Sequence, residues 1–270
     1  MRKTDNLKEI QGLELSILDY ITDICKENEL RYFLAGGTLL GAVRHNGFIP
    51  WDNDVDISMP RSDYNRLIAI MEKQPVGRYQ ILSPKNKNDY YYPFAKVVDT
   101  KTKLVELTRS NSVSNMGLFI DIFPIDTVPA DHNIAVERLR YVNKWGIKIA
   151  GSVASDKDLP AFRKVTHFIW YWLFKGLGRE QCLEKVEAKL AYDQFGSTGY
   201  IASTYGLREE KEIIEYEAFA SAVELPFEGK TYSCPIGYDK YLRQMYGDYM
   251  KLPPEKDRVA PHDVEVYIDC

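Results

Sequence analysis

Apolar residues recur at Leu7, Ile10, Leu13, Ile17, Leu18, Ile21 and Ile24. That spacing marks one face of a helix, so residues 5–28 are predicted to form an amphipathic helix. The rhythm then shortens. RYFLA at 31–35 is an apolar strand broken by Gly36-Gly37, and Thr38 is placed to cap a helix through TLLGAVRHNG. VDISM at 55–59 reads as a second strand ended by Pro60, with Ser62 or Asp63 as the cap of a helix through SDYNRLIAIMEK. YYPFAKVVD (91–99) and TKLVELT (102–108) are expected to pair as strands, and GLFIDIFPID (117–126) supplies another. From 131 to 195 the pattern turns helical. Short strand signals return over 213–234, and YDKYLRQMYGDY (238–249) predicts a last helix before Pro253-Pro254. The expected fold class is α+β: a mixed β-sheet core with flanking helices, then a helical C-terminal half. Residues 1–270 are read as one unit, with 30–130 as the core and 131–270 as a mainly helical acceptor-side region.

Composition narrows the class of function. The chain has 270 residues, 45% hydrophobic and 27% charged, an ordinary globular balance. A net charge of -4 supplies no global positive field for a polyanion, so nucleic acid is not an expected partner. The four cysteines, Cys25, Cys182, Cys234 and Cys270, form no CxxC pair, which points to reduced thiols rather than zinc or disulfides. The N-terminus lacks a signal-peptide core, and no run approaches the roughly 18 apolar residues of a membrane span. The expected location is the cytoplasm, with peripheral contact at the inner membrane face left open.

The chemistry concentrates in acids set among apolar residues. On a strand, Asp52, Asp54 and Asp56 would share one face while Val55 and Ile57 enter the core. Such crowding of negative charge needs a cation, and magnesium, with manganese as the alternative, takes oxygen ligands of this kind. Asp121, in Phe119-Ile120-Asp121-Ile122-Phe123, carries the same signature, as a further ligand or as base for an acceptor hydroxyl. An EF-hand is excluded, because Ile57 stands where the loop needs glycine and Asp63 where it needs glutamate. Gly36-Gly37 has two readings: a close backbone approach to phosphate at a helix start, or an ordinary strand–helix turn.

With these residues together the sequence resembles the LicD family, which includes the fukutin-related proteins. The resemblance rests on Gly36-Gly37-Thr38-Leu39-Leu40-Gly41-Ala42-Val43-Arg44-His45, then Pro50-Trp51-Asp52-Asn53-Asp54-Val55-Asp56-Ile57. It continues through Lys96 in PFAKVVD, Asp121 in FIDIFPID, and a block from Phe227-Glu228-Gly229-Lys230 to LRQMYGDYMKLPP. Asn53 departs from the aspartate that many bacterial relatives carry there. The resemblance implies a nucleotidyltransferase fold and transfer of phosphocholine, or a related phospho-alcohol, from a CDP-linked donor. The acceptor is implied to be a glycan hydroxyl, free or lipid-linked, on teichoic acid or lipopolysaccharide. By the same resemblance Asp54, Asp56 and Asp121 hold magnesium and are catalytic. Gly36, Gly37, Thr38 and Trp51 contact substrate, as do Arg44 and Lys96, for which a salt bridge is the alternative. His262 is a further candidate.

Aromatic residues make up 13% of the chain, with Trp51 and Tyr90-Tyr91-Tyr92 near the acids. Rings of this kind can hold a quaternary ammonium or simply fill a core. The aromatic stretch at 162–179, with basic ends, fits either a core helix or a membrane-surface helix serving a lipid-linked acceptor. Two rival enzymes use the same acids: a DxD glycosyltransferase, and a true nucleotidyltransferase releasing pyrophosphate. A non-catalytic binding module would tolerate their loss.

Overall fold

The computed structural model describes residues 1–74, 77–86, 90, 92–106, 116–153, 179–190, 194–206, 209–260 and 264–269. A short strand, β1 (Arg2–Thr4), leads into α1 (Leu7–Glu27), where Asn6 caps the start by accepting from the Lys8 amide. Helix α1 buries Ile10, Ile17, Leu18, Ile21 and Ile24, as its periodicity requires. After β2 (Phe33–Leu34), α2 (Gly36–His45) begins two residues before the expected cap. Gly36 adopts φ +52, and Ala35 occupies the capping position without a side-chain bond. The buried Thr38 hydroxyl instead accepts from the Asp56 amide at 2.8 Å.

Strand β3 (Asp56–Pro60) runs directly into α3 (Arg61–Lys73), capped by neither Ser62 nor Asp63. Pro60 sits at the cap position, and Asp63 accepts from Arg31 Nε at 2.8 Å. Asp52 and Asp54 therefore precede the strand, so the expected alternation along one strand starts only at Asp56. Next come β4 (Tyr79–Leu82), β5 (Ala95–Asp99), β6 (Thr102–Glu106) and β7 (Leu118–Thr127). The expected pairing of the 91–99 and 102–108 segments does not form. β5 joins the central sheet, whereas β6 pairs with β12 (Val264–Ile268), which itself pairs with β1. Thr102 enforces the parting: its hydroxyl donates to the Asp99 carbonyl and accepts from the Leu118 amide at 2.8 and 2.7 Å.

The central sheet runs β2-β3-β7-β5-β4, and β7 also pairs with β8 (Tyr200–Ser203), which pairs with β9 (Ile213–Glu215). β3 and β7 are parallel, while the other pairs are antiparallel, so the expected mixed sheet is observed. Helices α4 (His132–Val153) and α5 (Arg179–Leu190) meet the expected helical middle. The aromatic stretch at 162–178 lies outside the described residues. A helical C-terminal half is not observed. Beyond residue 200 the described chain is mostly strand and 3-10 turn, including the hairpin β10 (Ala222–Phe227) and β11 (Lys230–Pro235), with one regular helix, α6 (Tyr238–Tyr246). The misreading has a physical source: the helical periodicity of 131–195 stops at Thr198–Tyr200, where the Thr198 hydroxyl ties to the Val128 carbonyl and starts the β8 return. Among the described residues, no helix is long and apolar enough to cross a membrane.

Candidate functional site

The parallel pairing of β3 with β7 sets Asp56 opposite Asp121, and the antiparallel pairing of β5 sets Lys96 opposite Asp121 from the other side. Residues in register across neighbouring strands project from one face, so these three form a row. Lys96 is fully buried and ion-paired to Asp121. Its ammonium lies 3.5 Å from the ring centre of Phe119, 4.1 Å from Tyr92 and 5.3 Å from Phe94. Ring faces and carboxylate together compensate a charge that burial would otherwise penalise.

Asp52 and Asp54 approach the row from the irregular chain before β3. Asp52 is buried, its amide donates to the Ile49 carbonyl at 2.9 Å, and its carboxyl is hydrogen-bonded to that of Asp54. The glycines explain how so many carboxyls fit. A Cβ on Gly36 would stand 2.9 Å from Asp56 Oδ2, and one on Gly37 would stand 2.7 Å from Asp52 Oδ2. The positive φ of Gly36 adds a second reason for glycine there. Of the two readings of the Gly-Gly turn, this geometry adds a third use: it presses the start of α2 onto the acids.

Crowding raises the affinity of these groups for protons. Burial, then the charge of Asp54, pushes the Asp52 carboxyl up to about 8. Burial, then Asp54, Asp121 and Asp52, lifts Asp56 well above the carboxylate range, with Lys96 opposing. A fifth carboxyl joins them from α1. Glu14 is 1% exposed, and burial, then Asp54, Asp52 and Asp121, raises it in the same direction. Its neighbour one turn earlier, Gln11, donates to the Asp52 carbonyl at 2.9 Å. Neither was singled out from sequence. The signal was there: Glu14 stands four residues after Ile10 and four before Leu18, a charge on the apolar stripe.

The remaining candidates divide. Trp51 is half-buried beside Asp52, and the Arg258 guanidinium stands 5.8 Å from its ring centre. Arg44 donates to the Tyr249 carbonyl at 2.7 Å and to His45 Nε2 at 2.9 Å, which ties α2 to the chain after α6. Lys96 is engaged with Asp121 rather than displayed at the surface. His262 and Tyr91 lie outside the described residues, whereas Tyr90 is fully buried and donates to the Phe94 carbonyl at 2.9 Å. A cavity of about 330 Å³ lies past the opposite end of β3, lined by Arg61, Tyr64, Lys85, Leu183, Glu187 and Tyr205, and contains none of the acids.

Among the described residues, no group of three or more His, Cys, Asp or Glu side chains stands ready to hold a metal ion. The donor chemistry nevertheless suits a hard divalent cation: every candidate ligand is a carboxyl oxygen, and crowding raises the proton affinity of Asp52 and Asp56, which a cation would relieve. Asp56 and Asp121 stand side by side in register, with Asp54 two residues before Asp56.

Comparison with known proteins bears on this arrangement. Residues 29–145, which carry the glycine turn, the acids and Lys96, match the family described as LicD/FKTN/FKRP, nucleotidyltransferase domain. The chain is 32% identical to the lipopolysaccharide cholinephosphotransferase LicD of Haemophilus influenzae, over 97% of this chain and 98% of that protein. It is also 46% identical over 44 residues to the human and mouse ribitol 5-phosphate transferase FKRP, a match covering 16% of this chain and 9% of each relative. With one relative aligned along nearly its whole length, the chain belongs to the LicD family.

Proposed function

We propose that this chain is a phosphotransferase that moves phosphocholine, or a related phospho-alcohol, from a CDP-linked donor to a hydroxyl of a cell-surface glycan precursor such as lipopolysaccharide or teichoic acid. The observation that carries the reading is the row Asp56–Asp121–Lys96 with Asp52 and Asp54 folded against it, inside the segment shared with a family of phospho-alcohol transferases. The full-length likeness to a cholinephosphotransferase favours choline as the head group, and the short match to a ribitol 5-phosphate transferase keeps a polyol phosphate as the second. A nucleotidyltransferase fold, named in the family description, accords with the mixed sheet and with the Gly-Gly helix start beside the acids.

The balance of the reaction is simple. The acceptor oxygen bonds to the phosphorus that bears the head group, the bond from that phosphorus to the bridging oxygen breaks, and CMP leaves with the electron pair. The hydroxyl proton must go to a base. Magnesium, when bound, would neutralise charge developing on the phosphoryl and leaving oxygens. Asp54 and Asp56 are the residues that would hold it. Asp121 completes the set or accepts the proton, and Lys96 fixes its orientation from beneath. Gly36 and Gly37 bring the start of α2 close to the acids, and a helix N-terminus there favours the negative charge of a diphosphate. Trp51 offers a ring face that a quaternary ammonium could share with, or take from, Arg258.

The test is CMP release from CDP-choline, CDP-glycerol, CDP-ribitol and CDP-ethanolamine, with magnesium and with or without glycan precursors. One donor is expected to give acceptor-dependent CMP, and the Asp54→Asn/Asp56→Asn double variant is expected to lose roughly a thousandfold in rate, as removal of charge stabilisation does elsewhere. Pyrophosphate from a nucleoside triphosphate, or UDP from a nucleotide sugar, would replace this reading by one of its rivals.

A further inference from the structure

Among the described residues, two buried side-chain atoms have no hydrogen-bond partner: Gln11 Oε1 and Glu14 Oε2. Both belong to α1, three residues apart and hence on one helical face. They are 3% and 1% exposed. Both adjoin the acids: Gln11 holds the Asp52 carbonyl through its amide, and the Glu14 carboxyl feels the charges of Asp54, Asp52 and Asp121. A buried polar atom without a partner costs about 1–3 kcal/mol, so a fold rarely keeps one without use. Two on one face of one helix mark a place where something is received. Gln11 Oε1 can only accept, and Glu14 Oε2 accepts once a cation beside it ionises the carboxyl, so the partner both then lack is a donor. Bound water in the shell of a cation is such a donor, and magnesium keeps several of its waters when it binds protein.

We propose that α1 forms one wall of the cation site, with Glu14 Oε2 and Gln11 Oε1 accepting hydrogen bonds from water bound to a divalent ion held by Asp54, Asp56 and Asp121. The proposal rests on the metal-dependent reading above and extends it beyond the segment matched to the family, which begins at residue 29. Glu14 acts through the ion's water and is a positioning residue. It also makes the long N-terminal helix part of the site, since a shift of α1 along the sheet would move both oxygens together.

The experiment is a titration of the full chain with Mn²⁺, read by loss of the free-ion electron paramagnetic resonance signal, beside thermal melting of the metal-free protein. No donor or acceptor is needed. Glu14→Gln is expected to weaken Mn²⁺ binding by roughly 10–100-fold, the range for residues that orient metal-bound groups. Glu14→Gln and Glu14→Met are expected to melt in the metal-free state no lower than the parent, because each removes an unpartnered buried acid. Parent-like Mn²⁺ affinity in Glu14→Gln overturns the proposal, and so does a lowered metal-free melting temperature with unchanged affinity. The outcome separates from the parent reading through Asp54→Asn. If that variant loses Mn²⁺ and Glu14→Gln does not, the α1 wall alone fails. If the unaltered chain takes up no Mn²⁺, both readings fail together.

Discussion

Strand β7 carries two aspartates, the half-buried Asp121 near one end and the buried Asp126 near the other, and they live under opposite rules. Asp126 is 2% exposed and fully answered. Arg61 grips both of its oxygens at 2.8 and 2.6 Å, and the buried Thr204 hydroxyl donates to it as well. Burial works against the Arg61 charge, but Asp126 more than restores it. Around Asp121 the ledger of charge is uneven: Asp52, Asp54, Asp56 and Glu14 crowd the same region, and the lysine that faces Asp121 is Lys96. A charge whose every hydrogen-bonding position is filled holds the fold. A charge set among its own kind, with empty acceptors nearby, is kept at a cost to stability and is explained by what it binds.

Breaking the satisfied end should have the largest effect on folding. Asp126→Ala leaves the Arg61 guanidinium without its carboxylate, and unfolding in urea should show a loss on the order of 3 kcal/mol. The matching loss is not expected at the acid end, where replacing an acid relieves repulsion. There the signature is pH. In the metal-free chain Asp52 and Asp56 keep protons that the unfolded chain releases near the ordinary 3.8, so the native state binds more protons between about pH 4 and about pH 8. Stability must then fall as pH rises through that window. That loss is read by denaturant unfolding at a series of pH values. Asp52→Asn should flatten it, and saturating magnesium should do the same by replacing the protons. A metal-free chain that grows more stable over that range would reverse the contrast between the two ends. The finest test is Thr204→Val, which removes one donor from Asp126 while the Arg61 pair remains. It should cost about 1 kcal/mol by the same urea measurement.

The contrast also marks what could be read from the chain. Helix α1 was legible because Ile10, Ile17, Leu18 and Ile21 keep its period, and β7 because its apolar run surrounds Asp121. Asp56 and Asp121 were legible as acids among apolar neighbours and Lys96 only through the family resemblance, but their register was not, since it depends on strands brought together from distant parts of the chain. Periodicity also gave no way to foresee that β5 and β6, two residues apart, would join different sheets. That choice is made by Thr102 and by Gly117, where a Cβ would stand 2.0 Å from the Asp99 carbonyl oxygen. Glu14 was passed over because an amphipathic helix is read for its apolar members, and the polar intruder is assumed to point to water. The caps at Thr38 and Ser62 were misassigned for one reason. Ala35 and Pro60 occupy the cap positions without a side-chain bond, and the Thr38 hydroxyl serves β3 instead.

The parallel closure of β3 on β7 has a further consequence for how this protein can be divided. A fragment ending before Leu118 would retain every letter of the Gly-Gly and Trp-Asp motifs and yet lack Asp121, the strand that aligns it with Asp56, and the partner that Lys96 grips. The acids are joined by topology rather than by neighbourhood, so the cluster is inherited whole or not at all. During folding it can appear only after that long-range pairing, a slow kind of contact to make. A nascent or partly unfolded chain would thus carry the motif without the assembled cluster of acids.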